Sequence, residues 1–420
     1  MKPKILSTFP EYTGALLRAD LFAGLTVAMV ALPLSIAIAI ASGADPAAGL
    51  TTAIIGGFLI SAFGGSRVQI GGPTGAFIVV VFGVIADHGY DGLILATLMA
   101  GVILLIAGYF RAGNLVHHIP ESVINGFTIG IAIIIATSQI KDLFGLSIAT
   151  LPGDFIDKTE ALWQARDTLN PLALLIGLVT MVLIVALRRM APRYPGLILA
   201  VAVTSVAVAI WALPVDTLHS RFGPLPRTPP LPTLPALDLE RMIDLLPSAM
   251  IIAFLAGVES LLSAAVADRM IGGSYRPNAE VMANGAANIG SALFGGLPAT
   301  GAIARTATNV RAGGKTPMAG MIHAVTILLV MLLAAPLAGY FAMPALAGLL
   351  LLTAWNMSEP QKWRGYLRER TSDKVLLVLT LVLTVLTDLT VAIGVGVALG
   401  LAIRLRRRKV PEAEWHPPDA

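Results

Sequence analysis

The sequence predicts an all-α polytopic membrane protein with about fourteen transmembrane segments in a seven-plus-seven inverted repeat. Three observations carry this: a composition too apolar for water, a one-sided distribution of positive charge, and a motif that recurs at the same place in each half. Of 420 residues, 56% are hydrophobic and 13% charged, and there is no cysteine. Counting glycine in and tyrosine out puts the apolar share at about 64%, against 45–50% in an ordinary soluble domain with about 25% charged residues. A soluble enzyme cannot hide that much apolar surface behind so few charges. Fibrous, disordered and disulfide-framework chains are excluded by the lack of a short repeat, of polar tracts and of cysteine.

Lys2, Lys4, Pro10 and Glu11 precede any apolar run. No short apolar core ends in a small-residue cleavage site, so the N-terminus does not read as a signal peptide. The first apolar stretch, 20–42, is long enough to span roughly 30 Å as a helix. Others follow near 46–65, 74–87, 92–110, 120–138, 171–188, 195–213, 245–267, 278–296, 302–312, 317–340, 344–356, 374–389 and 390–405. Segments 74–87, 302–312 and 344–356 are shorter than the roughly 17 residues a full crossing needs. Short, Gly/Pro-interrupted segments mark broken helices whose ends line a binding site, so segments 3 and 10 read as half-helices. Polar residues 141–170 and Pro-rich 214–244 interrupt the pattern, and repeated proline makes the second an extended linker. The expected organisation is a first repeat at 1–213, an extracytoplasmic linker at 214–244, a second repeat at 245–409 and a cytoplasmic tail at 410–420.

Charge tests the segment count independently. Fourteen segments put both termini on one side, and that side then collects 22 of the 29 Lys and Arg residues. Lys141, Lys158, Arg166, Arg221, Arg227 and Arg241 fall on the other side, and Arg305 falls within the membrane. Positive-inside bias places both termini in the cytoplasm, of a bacterial inner membrane by expectation. The runs RLRRRK (404–409) and RRMAPR (188–193) read as topology and lipid-headgroup anchors, with no call for nucleic acid.

The halves around the linker are related. SAFGGSRVQIGGPTGAFIVV (61–80) and SALFGGLPATGAIARTATNV (291–310) share FGG, then Pro-Thr-Gly-Ala or Pro-Ala-Thr-Gly-Ala, then a short apolar helix. Each opens the third segment of its half. Seven is odd, so the second half enters the membrane upside down, and a substrate is expected at the midplane where the halves meet. In the first copy Gly71 and Gly72 permit a non-helical approach, and Pro73 suits a first helical turn. Thr74 can cap or face the site, and the amides of Gly75, Ala76 and Phe77 point back along the axis. Thr300, Gly301, Ala302 and Ile303 repeat this from the opposite side. Two opposed helix N-termini offer partial positive charge and unpaired donors to one spot. Unpaired amides in lipid cost several kcal/mol each, so they must face a polar ligand or water. An anion is the expected substrate.

Two intramembrane charges sharpen this. Arg305, one turn into segment 10, can add a full positive charge to the site or pair with an acidic neighbour. Glu259 lies mid-span in segment 8 with Ser260 beside it and Ser263 on the same face at i+4. It can carry a proton, serve as a cation ligand, or partner Arg305. Asp268 and Arg269 at the end of that segment read as an anchor or a pair, and Asp388 as a cap or loop residue. The histidines are scattered (His117 and His118 share a loop), and no metal-ligand or nucleotide-binding pattern argues for an enzyme or a cofactor.

ESLLSAAVADRMIGGSYRPNAEVMANGAANIGSALFGGLPATGAIARTATNVRAGGKTPMAGMIHA (259–324) resembles the signature of the SulP anion permeases, solute carrier family 26. GLTVAMVALPLSIAIAIASG (24–43) and GGSRVQIGGPTGAF (64–77) are similar to the family's first and third segments. The resemblance implies a core domain of segments 1–4 and 8–11 and a gate domain of segments 5–7 and 12–14. It implies anion binding between Thr74–Phe77 and Thr300–Ile303, with Arg305 at the family's basic position. Glu259 and Ser263 match an acidic and a hydroxyl position that hold sodium in a bicarbonate-transporting relative, where the acid is Asp; Glu makes proton coupling at least as plausible. The family's STAS domain has no match within the 420 residues, and homodimerisation is a family expectation. The expected function is secondary active transport of sulfate, bicarbonate or a dicarboxylate, coupled to protons. The alternatives are a sodium-coupled bicarbonate symporter, or a channel or exchanger of the same fold. A nucleobase permease would want carboxylates for ring N–H groups in place of Arg305.

Overall fold

A computed structural model describes residues 2–113, 121–149, 151–190, 195–387 and 389–406. His117, His118, Arg193, Asp388, Arg407, Arg408, Lys409 and the tail 410–420 lie outside the described residues.

All fourteen segments form helices. In the first half they are Gly14–Ala41, Pro46–Phe63, the continuous run Ile78–Tyr109 for segments 3 and 4, Glu121–Phe144, Pro171–Met190 and Gly196–Ile210. In the second they are Leu239–Ile271, Pro277–Leu293, Ile303–Arg311, Met318–Ala338, Met343–Met357, Thr371–Leu386 and Leu389–Arg406. The run Ile78–Tyr109 breaks at Gly89, whose φ of 72° a side chain would resist. Segment 3 therefore rises only about 17 Å before the chain turns into segment 4, and nine-residue segment 10 rises about 14 Å. Each reaches about half the hydrocarbon thickness. Among the described residues, seven helical stretches are long and apolar enough to cross a membrane alone, segments 3 and 4 counting as one.

Segments 3 and 10 meet through backbone. Gly71–Gly72 (β1) and Thr300–Gly301 (β2) pair antiparallel in the register Gly71 with Gly301 and Gly72 with Thr300. Two short extended stretches, one from each repeat, thus cross in the protein interior and each runs into a half-helix.

The helices sort into two packing groups. Segment 9 lies on segments 2 and 4, segment 11 on segments 1 and 2, and segment 8 on segments 4 and 10. Segment 5 lies on 12 and 13, segment 6 on 7 and 12, and 13 on 14. Small residues allow the closest crossings. A Cβ on Gly101 would stand 2.8 Å from the Gly285 carbonyl, and one on Gly285 the same distance from the Gly101 carbonyl. Without a hydrophobic drive in lipid, such backbone proximity is what helix pairing uses.

Two polar stretches are more ordered than the sequence suggests. Residues 141–170 contain an amphipathic helix, Phe155–Gln164, capped by Asp154. The linker has little regular structure but contains the short helix Leu218–Phe222, and segment 8 begins at Leu239, six residues before the predicted start of its apolar run. The tie of Arg221 to Asp142 secures this linker to the end of segment 5.

Candidate anion site

Segment 3 starts with Thr74 in an extended conformation (φ −124°, ψ 157°), followed by a single 3-10 turn, Gly75–Phe77. The Phe77 amide donates to the Thr74 carbonyl at 3.2 Å, so Gly75 and Ala76 lie ahead of the first helical hydrogen bond. The Thr74 hydroxyl does not cap the turn. It donates to Glu259 Oε2 at 2.7 Å, tying the first-repeat motif to segment 8.

The second copy is shifted in register. Thr300 and Gly301 belong to β2, and the Ala302 amide donates to the Ile70 carbonyl at 2.8 Å. The first helical bond runs from Thr306 to the Ala302 carbonyl, so the amides ahead of it are Ile303, Ala304 and Arg305. Thr300 gives its hydroxyl to the Ala256 carbonyl at 2.7 Å. A Cβ on Gly301 would collide with the Gln69 side-chain amide and stand 3.0 Å from Ser260 Oγ. Gly301 therefore makes room for a polar cluster behind the ladder. Gly75 differs: a Cβ there would approach Met357 Sδ to 3.0 Å and Ile135 Cδ1 to 3.5 Å, side chains of the other packing group.

Arg305 is 1% exposed and donates through Nη2 to the Pro73 carbonyl, while Nε and Nη1 have no partner. Its Nη1 occupies the space a Cβ on Gly72 would need, and Gly72 has the φ of 145° that only glycine readily adopts. Among the described residues Arg305 makes no ion pair; Glu259 is the acid whose charge reaches it. Two donor nitrogens left unpaired on a buried guanidinium fit an anion's oxygens. Ser263 is buried with its hydroxyl 3.1 Å from that of Thr306, which in turn accepts the Ile70 amide at 3.0 Å. Ser263 thus joins the wall behind the ladder and is not hydrogen-bonded to Glu259. Asp268 accepts the Tyr275 amide and makes no ion pair with Arg269 among the described residues.

Sequence reasoning missed a polar cluster that holds the ladder in place. Glu280, fully buried, accepts the Gly65 and Ser66 amides at 2.7 and 3.0 Å and the Ser260 hydroxyl at 3.2 Å. Gln69 and Asn284 both donate to Ser260 Oγ, and Asn288 donates to the Ala299 carbonyl. Asn309 donates to the Val68 carbonyl. The signal was present: Glu280, Asn284 and Asn288 recur every four residues on one face of a helix made mostly of small and apolar residues. No group of three metal-ligating side chains occurs among the described residues.

Half-helices that meet through inverted repeats define the class: a secondary-transporter fold with its site at the crossing. The sulfate permease family model matches residues 17–380, and the chain belongs to that family. It is a family of transporters and not of enzymes. The chain is 42% identical to "Putative sulfate transporter YvdB" of Bacillus subtilis (strain 168), over 91% of this chain and 72% of the relative. It is 32% identical to the bicarbonate transporter BicA of Synechocystis, over 89% of this chain and 67% of the relative. The solved transmembrane domain of a cyanobacterial BicA superposes with a TM-score of 0.78 at 30% identity, covering 91% of this chain and 99% of that one. The structure of SLC26A9 shares the fold with a TM-score of 0.86 at 19% identity, over 97% of this chain and 68% of that one.

Proposed function

We propose that this chain is a proton-coupled secondary active transporter of a small anion, held between segments 3 and 10. The observation that carries this reading is the buried Arg305 guanidinium, with two donors unpaired, beside the first-turn amides of two half-helices joined by the β1–β2 ladder. The binding groups are Thr74, Gly75, Ala76 and Phe77 from segment 3 with Ile303 and Arg305 from segment 10; Thr300, Gly301 and Ala302 fix the second half-helix from behind. Sulfate and bicarbonate are the leading substrates, because relatives are named for them. A dicarboxylate satisfies the same donors.

The packing groups divide the labour. Segments 1–4 and 8–11 form the core that carries the site, and segments 5–7 and 12–14 form the gate against which it moves. Met357 and Ile135 are the gate side chains nearest Gly75. The repeats run 1–213 and 245–409, joined by the linker 214–244, in a bacterial inner membrane with cytoplasmic termini and in a homodimer.

Glu259 supplies the coupling. Removal from water favours its neutral carboxyl, and the positive site favours the ionised one. An arriving anion cancels part of that positive charge, so anion and proton bind together and cross with less net charge than the anion alone. The Thr74–Glu259 hydrogen bond is the direct link between the two sites. The engagement of Ser263 with Thr306 favours a proton over a sodium ion held by Glu259 and Ser263.

Proteoliposome uptake of sulfate, bicarbonate, chloride and a dicarboxylate, with and without pH and sodium gradients, tests the proposal. An inward proton gradient should accelerate wild-type uptake, and Glu259→Gln should abolish the acceleration while retaining exchange. Uptake that follows sodium supports the sodium-coupled alternative; passive flux insensitive to both gradients supports a channel or exchanger.

A further inference from the structure

On the face opposite the chain termini, the loop between segments 5 and 6 carries the helix Phe155–Gln164. Most of this helix is open to solvent, and its inward stripe is Lys158 and Leu162, one turn apart and 4% and 7% exposed. An apolar residue beside Leu162 would fill that position without losing a hydration shell. Lysine is almost never fully buried unless paired. Among the described residues Lys158 makes no side-chain hydrogen bond and no ion pair.

What faces Lys158 is an aromatic ring. Its Nζ stands 5.4 Å from the centroid of Phe82, on segment 3 five residues past Phe77. A Cβ on Gly43 or on Gly153 would lie 3.4 Å from that ring, so two loops of this face close around it. Asp154, the acid whose charge reaches Lys158, is committed to its own helix, accepting the Ile156 and Asp157 amides at 2.8 and 3.4 Å. Burial pushes the Lys158 ammonium down from its usual range, with Asp154 opposing the shift. A ring face is a weaker partner for an ammonium than a carboxylate. The cation is thus held, but not neutralised, directly beyond the half-helix whose first turn faces the candidate anion site.

We propose that Lys158 is an anion-capture site at the mouth opposite the termini, parked on Phe82 while that mouth is shut and presented to an incoming oxyanion when it opens. The proposal rests on the transport reading above. Its helix hangs from segments 5 and 6, in the packing group that segment 3 does not belong to, so relative movement of the groups separates Lys158 from Phe82. The compact ammonium, with three rotatable donors, suits tetrahedral sulfate and planar bicarbonate alike. A single positive charge at a narrow mouth raises the local anion concentration and the capture rate, in a way that salt suppresses.

The test compares wild type, Lys158→Gln, Lys158→Met and Lys158→Arg in proteoliposomes, measuring uptake of radiolabelled sulfate and of bicarbonate at low and high ionic strength. Gln and Met should raise the half-saturating concentration about three- to tenfold at low ionic strength, with maximal rates within about twofold, and the gap should close as salt screens the charge. Arg should behave as wild type. An unchanged half-saturation, or a gap that salt does not close, overturns the proposal. A defect in Gln that Met does not share marks lost packing beside Leu162 and overturns it as well. A wild type that moves neither anion refutes the transport reading instead. Capture is then decided by acylating Lys158 with a membrane-impermeant amine reagent: sulfate or bicarbonate must slow the modification at low salt, and no slowing overturns capture on its own terms.

Discussion

Thr74→Val keeps the shape of the side chain and removes the hydroxyl that donates to Glu259 at 2.7 Å. Thr74 is 9% exposed, so water has little room to replace the lost donor. The hydroxyl does not cap the 3-10 turn, which places the loss on Glu259 and leaves the local backbone intact. A hydrogen bond to a charged group contributes about 1.5–3 kcal/mol, equivalent to about one to two decades. Proton-driven sulfate uptake should therefore fall by about 10- to 100-fold, with wild-type amounts of folded protein extracted. Glu259→Gln keeps an acceptor but no charge. On that background Thr74→Val should cost only about 0.5–1.5 kcal/mol, the value of a neutral hydrogen bond. The double-mutant cycle is measured as initial uptake rates under a fixed proton gradient. Fully additive effects would refute the reasoning, because the contact would then couple nothing.

Gly75→Leu should abolish uptake of every anion while leaving the protein extractable, since its side chain enters the space between Gly75, Met357 and Ile135; persistent uptake would put the site elsewhere. Gly301→Ala should instead lower thermal stability, by about 1–3 kcal/mol of overpacking against Gln69 and Ser260. Normal melting with lost uptake would move Gly301 to the anion. Arg305→Ala should weaken anion affinity in equilibrium binding by about one to two decades, as charge-assisted bonds to the anion are lost. Collapsed stability with normal affinity in the surviving protein would reduce Arg305 to a brace for Pro73.

The spanning pattern was legible because lipid leaves few options: apolar length, charge sidedness and a repeated Pro-Thr-Gly-Ala motif each report on it directly. Half-helices 3 and 10 were legible from their shortness. The β1–β2 ladder was not, since two residues of Gly-Gly or Thr-Gly carry no strand signal and the pairing is decided by tertiary approach. For the same reason the register of the second half-helix was missed: the Ala302 amide is occupied by Ile70, a contact between the two repeats that spacing cannot reveal. Glu259 and Arg305 stood out as charges in lipid, whereas Glu280 was passed over near a segment end despite being fully buried and hydrogen-bonded to two backbone amides. Lys158 was placed by the charge count in a polar loop. Only the folded helix turns it inward.

The ladder also sets a timetable for biosynthesis. Pro73 and its partner Arg305 are 232 residues apart. At about 5–20 residues per second, roughly 10 to 50 seconds pass between the synthesis of one and the arrival of the other. For most of that interval β1 lacks β2 and the loop 64–70 lacks Glu280, and Thr306 and Asn309 arrive only after Arg305. Bare amides are costly in lipid, so the nascent first half must keep this stretch near water or within the insertion machinery until the second half is made. The centre of the molecule thus stays incompletely bonded until most of its chain has been made.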